Sequence, residues 1–186
     1  MQSSKQIKDQ LPYNKRIQYL ISQLPYKEYI PDNVLNIGVR HGIWLSEWSY
    51  VFKYIDLVGI DIIDYLPIEH VEGVNKQTFP GLACHNYLFV QGNPIEKQFV
   101  NTIKTNFDII VQECSLYTKE EILKIYQNFF SKCNTLYTIQ NINSDQLLHY
   151  LSKNINVPHQ LERKATIKKS QKIIQRSIII KKQYDK

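Results

Sequence analysis

Residues 107–142 read FDIIVQECSLYTKEEILKIYQNFFSKCNTLYTIQNI, and three local rules meet in that stretch. Residues 107–113 (FDIIVQE) form a short, nearly unbroken apolar run, the pattern of a buried strand. Thr118 with Glu121 three positions on is a capping box, and it opens the helix TKEEILKIYQNFF. LYTIQNI (136–142) is another apolar run, read as the next strand.

The same alternation extends in both directions. Downstream, SDQLLHYLSK is a helix with Ser144 as its N-cap. The runs HQLERKATIKK and IIQRSIIIKKQ follow, joined by a short polar turn, and predict a hairpin rather than another crossover. Upstream, YLFVQGN, LVGIDIID and the run through Val34, Leu35 and Ile37 predict three more strands. Residues Pro94 to Lys104 suit a helix with Pro94 in its first turn. Trp44, Leu45, Trp48, Val51 and Phe52 make a helical stripe, and a helix from Tyr13 to Leu24 ends before Pro25. Residues 65–86, with Pro67, Gly73, Pro80 and Gly81, read as irregular. The expected fold class is therefore α/β: a doubly wound, mostly parallel Rossmann-like sheet with an antiparallel C-terminal hairpin. One domain spans residues 1–186, with an N-terminal helical segment over 1–30 and a basic hairpin over 159–183.

Composition fits this class. The chain has 186 residues, 43% hydrophobic and 22% charged, which argues against disorder and against a disulfide miniprotein. No window of roughly 18 uncharged apolar residues predicts a membrane span. MQSSKQIKDQ lacks the apolar core of a signal peptide. Cys84, Cys114 and Cys133 are odd in number, widely spaced and without a CxxC, so they are expected to be reduced, buried thiols in a cytoplasmic protein. The net charge is +6, but Leu161–Lys186 carries nine basic residues against Glu162 and Asp185, leaving the remainder near neutral. Such a tail can mean nucleic acid or an anionic surface, including that of a protein partner; its hairpin-like alternation favours the plainer reading, the wet face of two strands.

In sheets of this class ligands bind beyond the carboxyl ends of the strands. The first predicted strand ends in Asn36-Ile37-Gly38-Val39-Arg40-His41-Gly42. Glycines four apart let a backbone turn approach a ligand, or serve only the strand-to-helix turn. The second strand ends in Asp61, 23 positions after Gly38. One carboxylate at that offset can accept hydrogen bonds from both hydroxyls of a ribose. Together the two motifs point to an adenosine-containing ligand.

On these residues the chain resembles the class I S-adenosylmethionine (SAM) methyltransferases, and within them the macrocin-type sugar O-methyltransferases and their cephalosporin-hydroxylase-like relatives. VLNIGVRHGIWLSEW is similar to that group's strand and EIGVxHGGS loop, LVGIDI to its IxGIDI, and FVQGNPIEKQF to its xxQGDQxDxxF. FDIIVQECSLYTKEEILKIYQNFF is similar to FDIIIDDGSHxxxxxxxxFxxLF, and LYTIQNIN to xYVIEDxx. The resemblance runs from about Val34 to Asn143 and implies SAM as cofactor, with Asn36, Gly38, Arg40, Gly42, Asp61, Ile62, Gly92 and Asn93 as its binding positions. Trp44 is a further candidate flank for the adenosine.

Nearly all departures from the group's pattern fall on acids. Its acid toward the SAM amino group is Asn36, its adenine-side acid Asn93, and its metal-binding pairs Gln112-Glu113 and Gln140-Asn141. The histidine of its proposed base is Leu116. Amide oxygens bind a hard cation poorly, so no tightly bound metal is expected. Glu113, or His41, remains as the candidate catalytic base. Two readings stay open: a SAM-dependent transferase acting on a small hydroxylated, sugar-like acceptor, or a pseudoenzyme serving as a binding or structural subunit that contacts a protein or nucleic acid. A nicotinamide dehydrogenase fits the glycine spacing and the terminal hairpin less well.

Overall fold

The computed structural model describes residues 15–25, 29–39, 48, 52, 54–62, 87–115, 117–168 and 171–182. They fall into two compact units that divide between Gly92 and Asn93.

The first unit holds helix α1 (Lys15–Ser22) and three strands, β1 (Asn33–Ile37), β2 (Asp56–Asp61) and β3 (Tyr87–Gln91). All three strands are parallel with β2 in the middle, and the register pairs Ile37 with Ile60 and Asp61 with Gln91. Val34, Leu35, Ile37, Leu57 and Ile60 are fully buried, as apolar runs of this kind require. Helix α1 occupies the middle of the stretch expected from Tyr13 to Leu24 and stops short of Pro25. Of the Trp44 stripe, only Trp48 and Phe52 are among the described residues. Their rings stack with centroids 5.9 Å apart, and Phe52 N–H bonds Trp48 O at 3.0 Å, the spacing of a helical turn. Segment 65–86 lies outside the described residues.

The second unit runs α2 (Lys97–Thr102), β4 (Phe107–Glu113), α3 (Lys119–Phe129), a 3₁₀ turn (Phe130–Lys132), β5 (Cys133–Gln140), α4 (Asp145–Asn154), β6 (Gln160–Lys168) and β7 (Gln171–Lys181). β4 and β5 are parallel, β7 is antiparallel to β5, and β6 is antiparallel to β7. This is the expected class: a mostly parallel α/β arrangement closed by an antiparallel C-terminal hairpin. Both caps are present, the Thr118–Glu121 box on α3 and Ser144 Oγ accepting from Leu147 N–H on α4.

Among the boundaries that differ from expectation, two have a local cause. α2 begins at Lys97, because Pro94 and Ile95 lie in a turn whose Ile95 N–H bonds Asn93 Oδ1 at 3.1 Å. An Asx turn has displaced a proline-led first helical turn. β5 begins at Cys133 and ends at Gln140, where Asn141 leaves the strand with φ 57°. Asparagine tolerates that left-handed conformation better than most residues. Among the described residues no helix is long and apolar enough to cross a membrane.

Candidate functional site at the strand ends

In the first unit the register brings the expected residues together. Asn36 pairs with Gly59, and Gly59 with Phe89. Because side chains alternate along a strand, Asn36, Gly59 and Asp61 share one face, while Ile37 and Ile60 take the other. Gly59 carries no side chain beside the Asn36 amide, which leaves room there. The chain leaves β1 through Gly38, whose φ of 81° suits a residue without a Cβ. Gly38 N–H bonds Ile60 O at 2.8 Å, and Gly92 N–H bonds Asp61 O at 3.0 Å. Gly38, Asp61 and Gly92 therefore stand side by side at the carboxyl ends of three adjacent strands. Asp61 is 3% exposed, whereas Ile62, next along the chain, is 40% exposed and offers an apolar surface beside it.

Asn36 is the unusual member. It is 1% exposed, and neither Nδ2 nor Oδ1 has a hydrogen-bond partner among the described residues. A buried amide left unpaired costs about 1–3 kcal/mol per group, and folded proteins seldom carry one without a reason. Trp48 Nε1 is likewise buried, with no hydrogen-bond partner among the described residues. Arg40, His41, Gly42, Trp44 and Leu116 lie outside the described residues. Sequence reading found Asn36 through the motif; its orphaned amide has no signature in sequence.

In the second unit the polar strand ends are bound to their own surroundings. Glu113, 4% exposed, accepts at Oε1 from Ser115 Oγ (3.0 Å) and Ser115 N–H (3.4 Å), and at Oε2 from Asn141 Nδ2 (2.5 Å). Its carboxylate thus ties the loop after β4 to the loop after β5. Gln112 points to the opposite face of β4: Nε2 donates to Ile122 O of α3 at 2.9 Å, and Oε1 accepts from Tyr137 Oη at 2.6 Å. The sequence comparison groups Gln112 with Glu113 as one ligand pair. The alternation of a strand separates them, and Gln112 joins the packing against α3. Gln140 Nε2 donates to Thr138 Oγ1, which itself donates to Ile178 O at 3.2 Å. Asn93 Nδ2 donates to Glu96 Oε1 at 3.0 Å, and its Oδ1, already bonded to Ile95, keeps one lone pair.

Burial pushes the Cys114 thiol up, with Glu113 beside it adding to the effect, and lifts Cys133 to about 12. Both are protonated near neutral pH and poor nucleophiles, as expected of structural thiols; Cys84 lies outside the described residues. Among those residues no group of three or more His, Cys, Asp or Glu side chains is placed to hold a metal ion.

No family model matches the sequence, and no curated protein does. Solved structures do match in shape. The precorrin-6y C5,15-methyltransferase of Geobacter metallireducens GS-15 superposes with a TM-score of 0.61 at 13% identity, over 95% of this chain and 95% of that one. The fold is that of a methyltransferase. The N-methyltransferase NodS of Bradyrhizobium japonicum WM9 gives 0.61 at 13% identity, over 93% of this chain and 98% of its own. Magnesium protoporphyrin IX methyltransferase (ChlM) of Synechocystis PCC 6803, whose structure holds bound SAM, gives 0.57 at 12% identity, over 97% of this chain and 79% of its own. At these identities the likeness carries the methyltransferase fold; the macrocin-type resemblance rests on the sequence motifs alone.

Proposed function

We propose that this chain binds S-adenosylmethionine at the carboxyl ends of β1, β2 and β3 and serves transfer of its methyl group to a hydroxyl acceptor. The observation that carries the reading is the buried amide of Asn36, without a hydrogen-bond partner among the described residues and set on one face with Asp61 beside the Gly38 turn. An amide has both a donor and an acceptor. Asn36 Oδ1 can accept from the ammonium of an amino-acid group, and Nδ2 can donate to its carboxylate. Asp61 can hold the two hydroxyls of a ribose, Gly38 and Gly92 let backbone come close, and Ile62 offers an apolar wall to a base. When bound, SAM supplies an electrophilic methyl group, so the protein's contribution is to position an acceptor and receive its proton.

The resemblance to the macrocin type gives a sugar hydroxyl as the acceptor and leaves Glu113 as the acid nearest to a base. For Glu113 to take a proton it must loosen its bonds to Ser115 and Asn141. That clamp, with Gln112 turned toward α3, favours a second reading in which SAM is bound but transfer has lapsed and the chain acts as a binding subunit.

Calorimetric titration of the purified chain with SAM tests the proposal. Binding is expected with a Kd that Mg²⁺ does not change, and Asp61→Ala should weaken it at least tenfold, the loss of a charge-assisted bond of roughly 1.5–3 kcal/mol. No heat at millimolar SAM refutes the reading. Tight binding without label transfer from methyl-labelled SAM to any hydroxylated acceptor selects the second.

A further inference from the structure

The β5–β7 ladder ends at the Ile139–Ile178 pair, with one further bond from Ile142 N–H to Arg176 O at 3.1 Å. β6 and β7 stay paired beyond it, through Lys164–Gln175 to Lys168–Gln171. β7 runs antiparallel to β5, so this two-stranded ribbon extends past the carboxyl end of β5 by five residue pairs, roughly 16 Å. Residues 163–176 read RKATIKKSQKIIQR, six basic residues and no acid.

We infer that this ribbon is the docking element for an extended polyanion, the phosphate backbone of a nucleic acid. At the ribbon's base, Arg163 and Arg176 face each other in register and share Asp145. Arg176 Nε donates to Oδ1 at 2.6 Å and Nη2 to Oδ2 at 3.1 Å, while Arg163 Nη2 lies 3.0 Å from Oδ2. Farther out, the register sets Lys164 opposite Gln175, Lys168 opposite Gln171 and Lys172 opposite Ile167, and the sequence from 164 to 175 holds no acid.

This distribution separates the possible roles. Lysines commonly protect an exposed edge strand, but six basic residues among the fourteen from 163 to 176, with no acid between them, go beyond that and repel one another. A small anion needs cations converging on one point; these positions are spread over five successive residue pairs of the ribbon. A chain of phosphates matches that spread and offsets the repulsion. The inference is independent of SAM binding and stands on the ribbon alone.

Fluorescence anisotropy of the full chain with a 20-nucleotide oligouridylate RNA, between 50 and 200 mM salt, provides the test. The triple variant Lys164→Gln, Lys168→Gln, Lys172→Gln should lower the slope of log K against log salt by about 2, since each phosphate contact on a single strand adds about 0.7. Wild type then loses about twentyfold more affinity than the variant over that fourfold salt range. A control variant with Lys97, Lys124 and Lys153, all exposed on helices, changed to Gln should keep wild-type affinity. Melting curves establish that both variants fold, and SAM titration of the ribbon variant should match wild type whatever the RNA result. Wild-type RNA affinity and slope in the ribbon variant, or an equal loss in the control, overturns the inference. So does equal, ribbon-dependent binding to phosphatidylserine vesicles that RNA does not displace, which would assign the ribbon to a lipid surface.

Discussion

At Asn36, folding and binding make opposite demands. Its amide is buried in β1 without a partner among the described residues, so the ligand-free protein carries the desolvation cost of a donor and an acceptor. Asn36→Leu removes both groups at similar volume, and Gly59 opposite leaves space for the change. The melting temperature of the ligand-free protein is expected to rise by about 2–8 °C, corresponding to about 1–2 kcal/mol at this chain length. SAM binding should fall at least tenfold in the same variant. A less stable variant that binds SAM normally would show the amide to be a packing element. The sequence pointed to Asn36, Asp61 and Glu113 because motif and strand-end position are both readable along the chain. It was silent on what those groups touch. Gln112 shows why: next to Glu113 in sequence, it lies on the other face of β4, and its partners Ile122 and Tyr137 come from α3 and β5.

At the scale of elements, the strongest local signals were the ones that held. The Thr118–Glu121 box and the Ser144 cap fix their helices through groups within four residues, and the apolar run 107–113 is β4 to the residue. The start of α2 was placed too early because Asn93, one residue before the proline, offers its side chain to Ile95 N–H. Such a local competitor leaves the apolar spacing unchanged. The joint of α4 with the hairpin was not legible either, since it depends on Asp145 meeting Arg163 and Arg176 from strands far along the chain. That joint has a testable pH dependence. The Arg176 hydrogen bond, aided by the charge of Arg163, lowers the Asp145 pKa from its ordinary 3.8. A carboxyl group lowered on folding contributes stability that is complete above its unfolded pKa and is lost as pH falls through the folded one. Wild type should therefore lose more stability than Asp145→Asn when urea melts at pH 6 are repeated below pH 4. Parallel pH profiles of the two proteins would show that the cluster adds nothing.

For the whole molecule, ligand binding must appear as stability by mass action. A ligand that binds only the folded chain stabilises it by about 2.7 kcal/mol at a hundred times its Kd and about 4.1 kcal/mol at a thousand times. For a chain of 186 residues that corresponds to melting shifts of about 5–10 °C and then about 8–16 °C. The concentration law is what discriminates. Specific binding of SAM at the β1–β3 strand ends predicts a shift growing with the logarithm of SAM concentration and needing at least tenfold more SAM in Asp61→Ala. General solvent effects of millimolar additive would instead shift both proteins alike. S-adenosylhomocysteine, which keeps the amino-acid, ribose and adenine groups but lacks the transferable methyl, should reproduce most of the shift, because the residues assigned to the ligand all contact parts the two molecules share. A shift with SAM and none with the homocysteine product would mean that recognition rests on the sulfonium. Asn36 and Asp61 would then have been given the wrong roles.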